Sequence, residues 1–362
     1  MSYSIKPFMA TGIGSMPFTD PAYACNLVLS KFPDAPFWPQ LPKLGFAEDM
    51  VAQYSEGIAG ITLDFDERII SGALSSESLE EMTHFYESYM AVSEDAAGDV
   101  SVGRMTEDAS KGLFEFLRQV EARGTRYQFI KVQTTGPCTF ALGVKGADGS
   151  PVYYAEDYRD LIVKALAMKC RWQIRTFSPF AEKIICFIDE PVLSAFGSSA
   201  YLGVKREDVV ALLAETGETV HLEGGLAAVH CCGNTEWTIL IDAGVDIINF
   251  DAYEYGETIA LYHSEVSAFL SSGGILAWGA VPTSDVVMKT SVSALELHLE
   301  DMMDHLASKG ISKELIVKQA IITPACGTGS IPEAHAERVF EFTRQLSQSM
   351  MAKYALGGGG SE

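Results

Sequence analysis

The sequence predicts an α/β protein built as a single (β/α)8 TIM barrel, because short strands and helices alternate along the chain. Eight apolar, β-branched runs each end on Gly, Pro, Asp or Ser, which is typical of strands buried in a parallel sheet. Helical stretches such as residues 158–177, 206–216 and 294–308 separate these runs. Polar residues follow nearly every run, where the active sites of such barrels are built. A doubly wound open sheet, in which strands and helices also alternate, is the alternative fold.

The predicted strands can be placed in chain order from the turn residues that flank them. They span residues 8–15, 60–66, 128–136, 183–191, 227–233, 246–253, 274–282 and 320–327. The stretch 71–126 is longer than one crossover helix, which predicts an insertion after the second strand. No change of composition divides the chain, so we expect residues 1–356 to form one catalytic domain, followed by a flexible tail at 357–362.

Composition excludes several classes of function. The formal net charge is −22 at pH 7, whereas binding to nucleic acid or to an anionic membrane relies on Lys and Arg. No apolar run reaches the roughly 18 residues of a transmembrane helix. The 7 cysteines are an odd number, and the first residues do not read as a signal peptide. We therefore expect no disulfide framework and predict a cytoplasmic protein.

Three strand ends carry residues that can bind a metal. His230 and Cys232 are two positions apart on a predicted strand, so their side chains point to the same face and Cys231 faces the other way. Cys326 follows the last predicted strand, and Asp251 lies at the end of the sixth. Nitrogen, thiolate and carboxylate donors are the ligands of Zn²⁺. Because these residues are dispersed, unlike the compact pairs of zinc fingers, we expect a catalytic zinc site assembled by the fold.

Other strand ends supply candidate catalytic and substrate-binding residues. Asp189 and Glu190 emerge where a buried strand ends, and we predict both as catalytic, with capping of the next helix as the alternative role of Glu190. The Gly-x-Gly turn at 12–14 offers backbone N–H groups that can bind a carboxylate, although it lacks the spacing of a dinucleotide fingerprint. The predicted substrate-binding residues are Ile13, Gly14, Ser15, Thr135, Asp189 and Ser284.

Taken in this order, the segments resemble the catalytic half of cobalamin-independent methionine synthase, in the superfamily that it shares with uroporphyrinogen decarboxylase. The resemblance covers most of the chain, and its most specific part is the succession Asp-Glu-Pro, His-x-Cys and Pro-x-Cys-Gly. The matching segments are residues 13–17, 49–51, 135–137, 188–191, 230–232, 246–251 and 324–327.

The resemblance implies roles for individual residues. By this resemblance His230, Cys232 and Cys326 would hold zinc, and Asp251 stands where the family has its glutamate ligand. Water or Glu254 are the alternatives for that fourth position. The resemblance also implies that the amino group of homocysteine is bound by Asp189, and its carboxylate by the backbone at 13–15.

Two departures from the family pattern bear on the methyl donor. Pro42-Lys43-Leu44 stands where the family has His-Gly-Glu, so we expect a substrate-binding glutamate to be absent. We also expect no additional amino-terminal barrel of the kind that the folate-dependent enzymes have. We therefore predict a zinc-dependent methyltransferase that converts homocysteine to methionine at a zinc-bound thiolate. The predicted donor is methylcobalamin or a methylated corrinoid protein as partner, rather than methyl-tetrahydrofolate.

Three other functions remain as alternatives. A methyltransferase of the coenzyme M type would use the same zinc chemistry, but its sulfonate needs a basic clamp that no strand end supplies. Uroporphyrinogen decarboxylase chemistry binds propionates through arginines near the first strand, where this sequence has none. A barrel that binds zinc, a thiol or a corrinoid without turnover is the alternative from outside the enzymes. The sequence leaves the donor, the acceptor and the oligomeric state open.

Overall fold

The structure is a computed structural model that describes residues 5–73, 75–94, 98–201 and 203–357. These residues form the strands β1 (Met9–Ala10), β2 (Ile61–Asp64), β3 (Ile69–Gly72), β4 (Tyr127–Thr135), β5 (Lys145–Gly146), β6 (Ala181–Asp189), β7 (Leu226–Cys231), β8 (Ile247–Phe250), β9 (Ile275–Val281) and β10 (Ala320–Pro324). Their α-helices are α1 (Pro21–Lys31), α2 (Ala52–Ser55), α3 (Ser76–Glu94), α4 (Lys111–Arg123), α5 (Pro137–Gly143), α6 (Glu156–Phe177), α7 (Arg206–Leu222), α8 (Thr238–Asp242), α9 (Ala252–Tyr255), α10 (His263–Ser271), α11 (Val292–Ser308), α12 (Lys313–Lys318) and α13 (Glu333–Gly357). Of the predicted tail, residues 358–362 lie outside the described residues. No described helix is both long and apolar enough to cross a bilayer.

Seven strands form one parallel sheet in the order β1-β10-β9-β8-β7-β6-β4. Helices lie between these strands along the chain, so the predicted α/β class is confirmed. Seven of the eight predicted runs contribute a strand to this sheet. The register aligns Thr135, Asp189, His230 and Asn249 side by side across β4, β6, β7 and β8. Residues from strands far apart in sequence therefore meet at the carboxyl edge of the sheet.

The sheet is curled, and separate apolar clusters cover its two faces. A large cluster joins one face to the surrounding helices. A smaller one fills the concave side, with members that include Met9, Phe129, Ile185, Phe187, Ala228, Ile247, Ala277 and Ile321. Burial on both faces explains why these strands read as continuous apolar runs. Nearer the carboxyl ends the buried residues include polar ones, among them Lys131, Gln133, Asn249 and Thr323.

The prediction of a second barrel strand at 60–66 is wrong. Strand β2 does form there, but it pairs antiparallel with β3, and β3 pairs with β5 in a separate three-stranded sheet. Its residues alternate between half-buried and exposed, whereas strands of the main sheet are buried on both faces. The run at 60–66 is apolar enough to form a strand, but this strand belongs to the separate three-stranded sheet and not to the main sheet.

The segment 34–40 lies between the two edge strands of the main sheet instead. Lys131 on β4 donates its backbone N–H to the carbonyl of Pro36 at 2.8 Å. On the other side, Gln40 donates its N–H to the carbonyl of Gly14 at 3.0 Å, and Met16 donates to the carbonyl of Gln40 at 2.8 Å. Proline has no N–H, so the repeated prolines Pro33, Pro36 and Pro39 prevent a regular hydrogen-bonded ladder. The segment joins both edges without being a regular strand.

Helix α4 packs directly on this segment through a glycine. A Cβ atom added at Gly112 would lie 1.8 Å from the carbonyl oxygen of Pro39, so backbone would have to move. We expect Gly112→Ala to lower the free energy of unfolding by about 1–3 kcal/mol, the usual cost of overpacking. Denaturant unfolding measures this effect. Gly143→Ala is the control, because its Cβ would meet nothing closer than Val51 at 3.8 Å, and an equal loss there would contradict the packing argument.

Candidate metal centre

The fold brings His230, Cys232 and Cys326 together at the carboxyl edge of the sheet. One nitrogen and two sulfur atoms lie within 4.8 Å of one another. His230 is on β7, Cys232 follows it directly, and Cys326 comes just after β10. Cys231 is buried in the apolar cluster on the helix side, as the strand period predicts. These three donors form a group that could hold a metal ion.

Asn249, which the sequence analysis did not single out, fixes the orientation of His230. Its side-chain nitrogen donates to the carbonyl of Ala277 at 2.8 Å and to the hydroxyl of Thr323 at 2.9 Å. Its oxygen therefore faces His230 Nδ1 at 2.5 Å and accepts a hydrogen bond from it. In the neutral ring the proton is thus held on Nδ1, and Nε2 keeps its lone pair. Nε2 is buried and has no hydrogen-bond partner in the described residues, which fits a metal ligand.

Replacing Asn249 by leucine should weaken metal binding without touching a ligand. Asn249→Leu removes the acceptor that holds the histidine tautomer, and such losses typically cost about 10- to 100-fold in metal affinity. Competition with a chromophoric chelator measures the zinc dissociation constant. Thr323→Val removes only one anchor of the amide and should give a smaller loss. Wild-type affinity in Asn249→Leu would contradict the proposed orientation.

The two sulfur atoms differ in protonation. Contact with the Cys326 thiol, and then with His230, lowers the pKa of Cys232. The same contact, together with burial, raises the pKa of Cys326 well above its ordinary value. Burial opposes a charge on His230, but its contacts with Cys232 and Asp189 outweigh that effect and raise its pKa. Cys232 is therefore the sulfur that loses its proton more readily, and a divalent cation would displace the Cys326 proton on binding.

Asp251 does not belong to this group of mutually close donors among the described residues. Its carboxylate caps α9 instead, accepting the backbone N–H of Glu254 at 2.9 Å. Burial raises the pKa of Asp251 to about 6. The structure thus uses the predicted fourth ligand as a helix cap, a role that short acidic side chains often take where a strand leads into a helix.

A cavity of about 410 Å³ opens directly above the three donors. Its wall is formed by Ile13, Ser15, Gln40, Pro42, Glu48, Asp49, Met50, Asp189, Pro191, His230, Cys232, Cys326, Gly327, Gly329 and Ser330. Three of these residues are acidic. Among the described residues of this wall there is no lysine or arginine, so the cavity offers carboxylates and backbone groups to a ligand.

Asp189 lies in this wall next to His230, as the strand register requires. Its Oδ1 atom is buried and accepts no hydrogen bond from the described residues. Burial raises the pKa of Asp189 to about 6, although the charges of Lys131 and His230 oppose the shift. At neutral pH the side chain is therefore a carboxylate with an unused acceptor, which suits it to bind a cationic group of a ligand.

Glu190, predicted as catalytic, turns away from the cavity and caps α5. It accepts the backbone N–H groups of Cys138 and Thr139, each at 2.8 Å, and the Thr139 hydroxyl at 2.6 Å. Gly136 makes room for this carboxylate, because a Cβ there would lie 2.1 Å from the carboxyl carbon of Glu190. The structure therefore assigns Glu190 the capping role that the sequence left as its alternative.

Glu48 places a glutamate in the cavity wall, although residues 42–44 lack the His-Gly-Glu of the family pattern and a substrate-binding glutamate was expected to be absent. This buried residue lies in the cavity wall, and its pKa is raised by burial to about 7. Its Oε1 atom accepts the N–H of Lys111 at 2.9 Å, and Oε2 accepts from Gln53 at 3.2 Å. The signal for it was present in the sequence, since Glu48 directly precedes the matched segment at 49–51.

The other predicted substrate-binding residues fall into two groups. Ile13 and Ser15 line the cavity, and Gly14 joins them with a φ of 148°, which favours glycine. The N–H groups of Ile13 and Ser15 have no acceptor among the described residues. Thr135 is buried outside the cavity wall, and exposed Ser284 caps the turn that begins at Asp285. The structure therefore does not bring Thr135 or Ser284 to the cavity.

No family model and no curated protein match this sequence. Among solved structures, the chain is similar to a B12-independent methionine synthase from Shewanella sp. W3-18-1, with 11% identity over 97% of this chain and 99% of that chain and a TM-score of 0.58. It is also similar to a methyltransferase from Methanosarcina mazei, with 12% identity over 94% of each chain and a TM-score of 0.55. At this identity the similarity shows a shared fold along nearly the whole chain.

Proposed function

We propose that this protein is a zinc-dependent methyltransferase that methylates a thiolate and converts homocysteine to methionine. The observation that carries the proposal is the group of one histidine nitrogen and two cysteine sulfurs at the floor of a cavity with an acidic wall. Support comes from the fold shared with the methionine synthase and the methyltransferase. That methionine synthase was solved with selenomethionine, the selenium analogue of the proposed product.

The residues at the cavity floor fit zinc. His230 through Nε2, Cys232 and Cys326 would hold it, and nitrogen and sulfur donors are its usual ligands. Zinc bound there would supply a positive charge that favours the thiolate form of a substrate thiol at neutral pH, where a free thiol with a pKa near 8.5 is mostly protonated. A set of three protein donors is typical of catalytic zinc sites. Because both cysteines must stay reduced, we also propose a cytoplasmic location.

The polar groups of the cavity suit the two ends of homocysteine. Asp189 and Glu48 present carboxyl groups that can bind its ammonium group. The N–H groups of Ile13 and Ser15 can bind its carboxylate. Coenzyme M would bring a sulfonate and no ammonium group, and the described cavity wall has no basic side chain to bind it. These contacts favour homocysteine as the acceptor.

A methylcorrinoid is the proposed donor. The cavity of about 410 Å³ has room for a small amino acid, so a corrinoid ring would lie at the mouth and extend its methyl group inward. The thiolate sulfur forms the new bond to the methyl carbon, the cobalt–carbon bond breaks, and its electron pair stays on cobalt. The donor is either free methylcobalamin or a methylated corrinoid protein. Asp189 and the loop at 13–15 contribute to rate by holding the sulfur in line with the methyl group.

We further propose that the main sheet closes into an eight-stranded barrel through the segment 34–40. The backbone hydrogen bonds of this segment to both β4 and the stretch after β1 support closure. In this arrangement residues 1–356 form one catalytic domain. The closed wall would exclude water from the thiolate, except through the mouth of the cavity.

The test is methyl transfer by protein of known zinc content. Homocysteine is supplied with methylcobalamin in one reaction and with methyl-tetrahydrofolate in another, and methionine is measured. We expect methionine from methylcobalamin and none after zinc is removed by a chelator. Methionine from neither donor, with homocysteine still bound, would support a binding barrel without turnover. Methionine only from the folate would contradict the corrinoid donor, and methylation of coenzyme M in place of homocysteine would contradict the acceptor.

A further inference from the structure

A lysine is buried inside the sheet beneath the cavity, although no part of the proposed reaction uses it. Lys131 on β4 has no exposed surface. Its ammonium group donates to the backbone carbonyl of Ile13 and, at 3.0 Å, to the side-chain oxygen of Gln133. It also lies over the ring of Phe187, 4.6 Å from the ring centre. A charged group in such surroundings is costly unless it has a function or a partner.

The charge of Lys131 is not neutralised by direct contact. None of its hydrogen-bond partners within the described part of the chain is a carboxylate. The acidic group that acts on it most is Asp189, one of the carboxylates of the cavity wall. Burial lowers the pKa of Lys131 to about 8, so the ammonium form still predominates at pH 7. A positive charge therefore lies below a cavity whose described wall residues include no lysine or arginine.

The contact with Ile13 fixes the direction of one peptide group. A trans peptide is planar, and its C=O and N–H point in opposite directions. Because the carbonyl of Ile13 points down to Lys131, the N–H of Gly14 points away from the ammonium group. Gly14 has the φ of 148° that this turn requires, and a Cβ there would lie 2.8 Å from Gln40. The lysine thus fixes the orientation of the Ile13–Gly14 peptide, at the centre of the loop proposed to bind the carboxylate.

We propose that Lys131 is a positioning residue that provides the positive charge for a carboxylate-binding site and acts through the Ile13–Gly14 peptide without touching the ligand. The inference rests on the proposed function, because homocysteine is the ligand whose carboxylate would occupy the loop. It explains how an acidic chain with no basic residue in the described cavity wall can bind an amino acid rather than a simple amine. Asp189 and Glu48 bind the ammonium end, and the loop above Lys131 binds the carboxylate end.

The experiment compares two thiols that differ only in the carboxylate. Binding of L-homocysteine and of 3-aminopropanethiol to the zinc-loaded protein is measured by calorimetry. We expect the wild type to prefer homocysteine by roughly ten- to hundredfold, the range of charge-assisted hydrogen bonds. Lys131→Met should lose most of this preference by binding homocysteine more weakly while binding 3-aminopropanethiol as before. Lys131→Gln, which keeps a donor for the Ile13 carbonyl without the charge, should fall between the two.

Lys169 provides a matched control. It is also buried, its pKa is likewise lowered to about 8 by burial, and it donates to a backbone carbonyl, that of Glu56, at 2.7 Å. It is not part of the cavity wall. Lys169→Met should lower stability as the loss of any buried lysine contact does, yet leave the preference between the thiols unchanged. A lost preference in this variant would show that the effect is general loosening and would overturn the inference.

The outcomes separate this inference from the proposed function. If the wild type forms methionine and Lys131→Met still prefers homocysteine over 3-aminopropanethiol as strongly as the wild type, the inference is overturned and the proposed function stands. A preference that depends on Lys131 in a protein that forms no methionine would overturn the proposed function and support the inference. If both Lys131 variants fail to fold, homocysteine methyl ester is compared with homocysteine on the wild type. Equal binding of acid and ester, or no binding of either, would overturn the carboxylate site, and tighter binding of the acid supports it.

Discussion

Cys326→Ser and His230→Ala are each expected to lose most of the bound zinc and essentially all methyl transfer. Each variant removes one of three donors that lie within 4.8 Å of one another. Loss of a residue that only supports a ligand costs about 10- to 100-fold in metal affinity, so loss of a ligand should exceed that range. Metal analysis after dialysis and chelator competition measure the zinc, and methionine formation measures the activity.

The control for this pair is the neighbouring cysteine. Cys231→Ala changes a residue that packs on the helix side of β7, so zinc content and activity should stay close to the wild type. Because Cys231 is buried like a small apolar side chain, a moderate loss of stability is expected there. Full zinc occupancy in both Cys326→Ser and His230→Ala would show that the ligands lie elsewhere. If only Cys231→Ala lost zinc, the ligands would lie on the helix side of β7 and not on the side that carries His230.

Asp189→Asn is expected to raise the KM for homocysteine and to lower kcat/KM by roughly 10- to 100-fold, with zinc content unchanged. The substitution keeps the size of the side chain and removes its charge. A hydrogen bond to a charged group contributes about 1.5–3 kcal/mol, which corresponds to this range. The pKa of about 6 means that the side chain is a carboxylate at pH 7, and its Oδ1 is unpaired in the described residues. Steady-state kinetics with varied homocysteine measure the change.

Asp49→Asn is the matched control within the same cavity wall. Asp49 already pairs with Arg68, whose guanidinium nitrogen lies 2.6 Å from its carboxylate. It is therefore less available to a substrate ammonium group, and its loss should change kcat/KM by much less than the loss of Asp189. Equal effects of the two substitutions would mean that the acidic wall attracts the substrate through its total charge. Loss of zinc from Asp189→Asn would mean that Asp189 acts on the metal site instead.

The strands and the clustering of His230, Cys232 and Cys326 could be predicted because their signals are local. A strand buried on both faces reads as an apolar run, and the period of two places His230 and Cys232 on one face whatever lies around them. Cys326 could be added because the carboxyl ends of parallel strands meet at one edge. The segment 34–40 could not be found in this way. Its prolines make it read as a loop, and its position depends on backbone hydrogen bonds to two distant segments.

The roles of individual acidic residues were harder to predict than their positions. Asp251 and Glu190 both stand where a strand leads into a helix, and a carboxylate there can either face the cavity or cap the helix. Sequence does not show which direction the side chain takes. The buried polar residues carried a clearer signal that can be used in other sequences. Lys131 and Asn249 each interrupt an apolar run, and a polar side chain buried inside a strand requires a partner.

The prolines of the segment 34–40 also bear on how the molecule deforms. Along most of the sheet, neighbouring strands are joined by continuous ladders, whereas this segment is joined by only a few backbone hydrogen bonds. Local opening begins where such bonds are fewest. Gln40, part of the cavity wall, therefore lies in the less tightly joined part of the sheet, while His230 and Asn249 are paired within the ladder of β7 and β8. We expect the cavity wall to open first on the side of this segment rather than along β7 and β8.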